Sequence, residues 1–267
     1  MTTRTGVLAS SPLTHVIASV RFAPWPRLAK QIDDIQDSMR EIAPLMNAIQ
    51  LEQVGPDGQA LGKPHQAWVL VAPDHSFAIQ FAQDQVLLIA SKYNRFVDFS
   101  SKFERALSTL LEHMRFVDVL NIGVRYIDRI KAGEGESLSD YISASFLPPA
   151  VDGHDAVGGH IIAEYLKGDN TRLRVNSMSM PNALPVPQDV IGLLMMTSAT
   201  NKPIQLDSLK PNELVLDMDA ILINPAPARM SLSDVMSQLD RLHNVANDFF
   251  RHEGVCTEHA FKVWKGE

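Results

Sequence analysis

The chain has one cysteine, Cys256, in 267 residues, so no disulfide can form within it, and this usage fits the reducing cytoplasm. No apolar run approaches the roughly 18 residues that a membrane-spanning helix needs. The opening, MTTRTGVLASSPLTHV, lacks the apolar stretch of a signal peptide. Positive charge is in deficit: 24 Lys and Arg stand against 31 Asp and Glu, for a net charge of −7. A general nucleic-acid binder usually carries a basic face large enough to move that total, so nucleic acid is not the expected partner.

Familiar catalytic signatures are missing too. The sequence contains no GxxxxGK[ST] loop, no strand-linked GxGxxG, no HExxH, no CxxC pair and no GxSxG elbow. Cys256 lies near His252, Glu258 and His259, but a cysteine nucleophile needs a base in hydrogen-bond reach and a lowered pKa, which proximity in sequence does not supply. His154 and His160, with Asp152 and Asp155, match no closed zinc spacing. Neither a metal nor another cofactor is therefore expected.

What is present is globular. The composition, 45% hydrophobic and 21% charged, can fill a core, and the length suits one large domain or two small ones. Thr14 to Phe22 alternates apolar and polar residues as a first strand does, and Pro24 and Pro26 stop it. Leu28, Ile32, Ile35, Met39 and Ile42 make the stripe of an amphipathic helix that ends before Pro44. A strand over 48–54 and a turn at Gly55 to Gly58 follow, and 67–72, 77–81 and 86–90 read as an antiparallel meander. A second helix is expected from Ser101, whose hydroxyl and Glu104 form a capping-box pattern.

The longest β-like run, Phe116 to Ile130, follows that helix. Period-2 spacing places Leu120, Ile122, Val124, Tyr126, Asp128 and Ile130 on one face. Val119, Asn121, Gly123, Arg125, Ile127 and Arg129 fall on the other, where two arginines four residues apart form a cationic ladder suited to an anion or an acidic peptide. Gly123 leaves room there for a bulge or a close approach. Pairing with acids on neighbouring strands is the purely structural alternative for the same arginines.

Beyond this strand, Lys131 to Glu136 is the best boundary. Ser137 to Phe146 suggests a capped helix, and His160 to Leu166 with Thr171 to Met180 suggests a hairpin turning at Lys167 to Asn170. A Pro-rich linker, PNALPVPQ, precedes an apolar segment, Val190 to Thr197. In the strand from Glu213 to Ile223, Glu213, Asp217 and Asp219 share one parity and suit ion pairs with Arg172 and Arg174. A last helix begins at Ser231, with Asp234 at the reciprocal capping position.

The expected class is α+β: two similar halves, 1–131 and 132–267, each a mainly antiparallel sheet covered on one face by helices, or one continuous domain. Three stretches, SPLTHVIASVRFAP with its following helix, YNRFVDFSSKFERAL and IGVRYIDRI, resemble a family of uncharacterised prokaryotic proteins of similar length catalogued as "sporadically distributed". The likeness covers the first half well and the second loosely, and the family favours Asn where this chain has Asp128. It implies a fold and, through the scattered occurrence of its members, an accessory locus such as a defence or toxin-antitoxin system.

These readings together describe a non-enzymatic binding or regulatory protein that recognises an acidic protein partner or ligand through a sheet face. Arg21, Tyr93, Asn121, Arg125 and Arg129 are its candidate binding residues, and self-association as a dimer is expected. Two alternatives use the same surface. One is an enzyme or ligand-binding domain for a small phosphorylated or carboxylated molecule, and the other is a structural subunit completed by homo-oligomerisation.

Overall fold

Alternating strands in the first half leave the helices one face to cover, and the computed structural model shows how they do it. It describes residues 4–51, 64–168, 170–198 and 206–267. Strand β1 (Leu13–Phe22) leads through a 3-10 turn to helix α1 (Ile32–Met39). Strands β2 (Leu45–Leu51), β3 (His65–Val71), β4 (Phe77–Ala82) and β5 (Gln85–Ala90) then form a meander. Helix α2 (Phe96–His113) feeds the long strand β6 (Val117–Lys131). Next come β7 (His160–Leu166), β8 (Thr171–Met178), α3 (Gln188–Thr197) and β9 (Glu213–Met230), closed by α4 (Leu232–Phe250) and α5 (Glu258–Lys265).

The nine strands make one antiparallel sheet in the order β2-β3-β4-β5-β1-β6-β9-β8-β7. β6 pairs with β1 on one side and β9 on the other, so the sheet runs unbroken past residue 131. Helices α1, α2, α4 and α5 bury the main core against one face, with Phe22, Phe81, Phe103 and Phe261 among its fully enclosed side chains. The other face carries a smaller apolar cluster in which Ile17, Val69, Ile89 and Ile127 meet Val190 and Leu194 of α3. Strands such as β4, buried along their whole length, owe that burial to cover on both sides.

Several elements differ from the sequence reading for local reasons. Helix α2 starts five residues before Ser101, because Phe96 and Phe99 extend the stripe continued by Phe103, Ala106 and Leu110. Ser101 is inside the helix and donates to the Asp98 carbonyl at 3.1 Å. Ser137 and Asp140 do form a reciprocal cap, but over a single 3-10 turn, and a second turn at Ala144–Phe146 follows where a continuous helix is expected. Residues 190–197 are helical, and α3 is pinned to the β4 turn by His75, whose Nδ1 lies 2.8 Å from the Thr197 carbonyl oxygen. β9 continues through Pro225 and Pro227 to Met230, and α5 has no counterpart among the expected elements. The end of the expected 48–54 strand, the turn at Gly55 to Gly58, and Asp169 of the hairpin turn lie outside the described residues.

Period-2 spacing also places Val119 with the arginines. The register of β6 slips at Leu120, between the Val119 and Asn121 pairings with both neighbouring strands, and this bulge carries Val119 into the helix-side core. From Asn121 onward the alternation holds. Gly123 is not itself the bulge. It lies opposite Ser19, and a Cβ there would come within 3.2 Å of the Ser19 hydroxyl.

Candidate functional site

Antiparallel pairing sets the arginines of β6 beside the acids of β9, and this decides what they can do. Arg125 donates from Nε and Nη2 to the two oxygens of Asp217, at 2.6 and 2.9 Å. Its Nη1 and Nη2 reach Asp189 at the start of α3, at 2.5 and 3.2 Å. Asp217 is fully buried and takes a third bond from Asn176 of β8 at 2.8 Å. Burial would lower the pKa of Arg125, but the hydrogen bonds and charges of the two aspartates outweigh it and hold the guanidinium protonated. Asp189 is the mirror case: burial pushes it up, and Arg125 pulls it below the ordinary carboxylate value.

Arg129 is spent in the same way, donating to Glu213 at 3.1 and 2.5 Å and to the Ser208 carbonyl at 3.2 Å. Arg21, more exposed, bonds Asp84 at 3.3 Å. Asn121 is half-buried and pairs in register with Arg21. These four residues thus share the α3 face of β1 and β6, but they are strung along it. Tyr93 is on the opposite face, packed against the helix-side core with its ring 6.2 Å from that of Tyr126. The structure therefore does not bring the five into one pocket.

Sequence reasoning paired the acids of β9 with Arg172 and Arg174, and the register does set Arg174 opposite Asp219. Neither arginine makes an ion pair or a side-chain hydrogen bond among the described residues. Both are exposed on β8, facing the α3 side. Burial, with the charges of Asp217 and Asp189, pushes Asp219 up to about 6 despite the opposing charges of Arg125 and Arg174.

Beside Arg174 is a cavity of about 590 Å³ between α3, β8 and β7, where Arg174, Asn176 and His160 face Ile162, Leu184 and Val186. β7 ends the sheet, so one row of its backbone groups has no strand beside it. It is unusually greasy for an edge: Ile162, Tyr165 and Leu166 are 52%, 41% and 73% exposed. Leu184, which lines the same cavity, is 42% exposed. The sequence signal for this corner is the apolar alternation of β7 beside two arginines, and only the strand order reveals that it is an edge.

The other sequence candidates have plain environments. Cys256 is buried, its thiol pushed well up by that burial, and its backbone bridges to Ile142. His154 turns back on the Asp152 carbonyl at 3.0 Å. Among the described residues, no three His, Cys, Asp or Glu side chains gather as a metal ion would need, and no helix is long and apolar enough to cross a membrane. Compared with known proteins, the chain matches no family model and no curated protein.

Proposed function

We propose that the protein is a binding or regulatory protein, without catalytic activity of its own, that docks an acidic extended segment of a protein partner along β7. The observation that carries this reading is the pairing of an open, apolar edge strand with two exposed arginines, Arg172 and Arg174, on the adjacent strand, neither held by an ion pair or a side-chain hydrogen bond among the described residues. An added strand would satisfy the free backbone row, its apolar side chains would cover Ile162 and Leu166, and its acids would meet the guanidiniums. Arg125 and Arg129 then act behind the surface, stiffening the sheet through Asp217 and Glu213.

The strand order also supports reading the chain as two similar halves. β1 pairs with the last strand of the β2–β5 meander, as β6 pairs with the last strand of β7–β9, and β1 and β6 join them. The single cysteine and the resemblance of the first half to the sporadically distributed family support a cytoplasmic accessory-locus setting.

The test is native mass spectrometry of the protein co-expressed with the products of its neighbouring genes. A stoichiometric companion that is retained by the wild type and lost from Arg172→Glu/Arg174→Glu and from Leu166→Asp supports the reading. A companion indifferent to all three changes overturns it. So does a bare homodimer lost on Leu166→Asp, because β7 would then be occupied by a second copy.

A further inference from the structure

On the helix side of the sheet, a second cavity of about 740 Å³ opens between α4, the residues 91–96 that enter α2, and the residues leading into β1. Asp128 of β6 lines it. The residue is 3% exposed, and its carboxyl takes no hydrogen bond and faces no cation within ion-pair distance among the described residues. The contrast with Asp217 on the neighbouring strand is direct: that carboxylate, equally buried, has three bonds. A buried carboxyl without partners costs several kcal/mol of desolvation if ionised, so its place at a cavity wall calls for a ligand that supplies what the chain does not.

The walls indicate which ligand. Tyr93 and Tyr126 meet edge to face, 89° apart, and Phe96 stacks on His243 at 3.9 Å, so the cavity is rimmed with ring faces and edges. Such faces attract cations. The Tyr126 hydroxyl and His243 Nδ1 are 2.6 Å apart and share a hydrogen bond, and burial lowers the pKa of His243, which favours its neutral ring. The cationic groups nearby are mostly committed. Lys92 pairs with Asp74 at 2.8 Å, and Arg251 donates to the carbonyls of Arg4 and Gly6 and to Asn247. Exposed Arg95, at the rim, makes no ion pair or side-chain hydrogen bond among the described residues.

We propose that this cavity binds a small ligand carrying a protonated amine, with Asp128 as the anionic anchor and Tyr93 and Tyr126 as ring walls. A single carboxylate with aromatic neighbours suits an organic ammonium rather than a metal ion, for which no set of three ligands is present among the described residues. Where the ligand is an amino acid, its carboxylate end faces Arg95. Burial and then the charge of Asp217 across the sheet push Asp128 up to about 8. Binding an ammonium therefore displaces a proton. Of the other titratable groups around it, burial holds Cys256, Tyr93 and Tyr126 neutral through the same range and lowers His243, which favours its neutral ring.

The test uses the full chain and four probes: benzylamine, phenylalanine, benzyl alcohol and benzoate, titrated by calorimetry and by NMR. Benzylamine or phenylalanine should bind at least roughly tenfold tighter than benzyl alcohol and benzoate. The amine's affinity should rise from about pH 6 to about pH 8.5, with proton release scaling with buffer ionisation heat. Asp128→Asn, nearly isosteric and checked for folding by circular dichroism, should lose roughly tenfold or more. Tighter binding of phenylalanine than of benzylamine, lost on Arg95→Ala, extends the site to amino acids. Benzoate as the best probe, an unaffected Asp128→Asn, or no saturable amine binding below about 10 mM would overturn the proposal. Because this cavity and β7 are on opposite faces, either outcome leaves the docking test independent.

Discussion

Asp217 holds Arg125 with both carboxylate oxygens, and the pair is closed from outside by Asp189, which brings the start of α3 down onto the sheet. One guanidinium thus ties β6, β9 and α3 together, and Asn176 adds β8 through the same acid. Bidentate geometry of this kind suits arginine and not lysine, because two donors must lie in one plane.

Removing only one partner strands the other. Arg125→Met should destabilise the fold by about 3–5 kcal/mol, since Asp217 has no exposure through which water could replace the guanidinium. The double change Arg125→Met/Asp217→Leu should recover most of that loss. Urea denaturation of the two variants measures the difference.

Asp128 ties stability to pH with a definite sign. Its folded value, about 8, is above the ordinary carboxylate value of 3.8. Between the two, the folded chain keeps a proton that the unfolded chain has released, so its contribution to stability is full below about pH 4 and is lost as pH rises through about 8. Asp128→Asn should be close to neutral in acid and should stabilise by about 2–5 kcal/mol near pH 9, as thermal melts across the pH range will show.

Val190 anchors α3 over the second apolar cluster and has no exposure. Val190→Ala should cost about 2 kcal/mol through the cavity it leaves. Amide exchange should quicken along α3 while α2, packed on the other face, keeps its protection.

The corner at β7 should behave as surface in the isolated protein. Leu166→Asp and Arg172→Glu should each change unfolding free energy by no more than about 0.5 kcal/mol, because these side chains are exposed and make no ion pair or side-chain hydrogen bond among the described residues. A larger loss in chemical denaturation would mean that β7 is covered in the isolated protein.

The strands, the helix leading from β1 and the capping pair Ser231 and Asp234 were legible because each is a short-range pattern. Ser231 accepts from the Asp234 amide, and the Asp234 carboxylate from the Ser231 amide, as their spacing implies. The bulge at Leu120 was not legible, since an extra apolar residue in a strand fits either register and leaves no local mark. The partners of the arginines were half legible. Parity put the acids of β9 on one face, but which strand lies beside them is a long-range fact.

The sequence by itself determined the α+β class, the antiparallel meanders and the alternation of β6, because periodicity and turn residues act over a few positions. Only the tertiary structure decided that β6 lies between β1 and β9, and hence that Arg125 and Arg129 are held by buried acids while Arg172 and Arg174 stay exposed on β8. It also decided that Tyr93 and Asp128 line one cavity on the face opposite the arginines. Strand order and side-chain pairing depend on contacts between residues far apart in the chain, and the free energy of those contacts is settled only when the whole sheet closes.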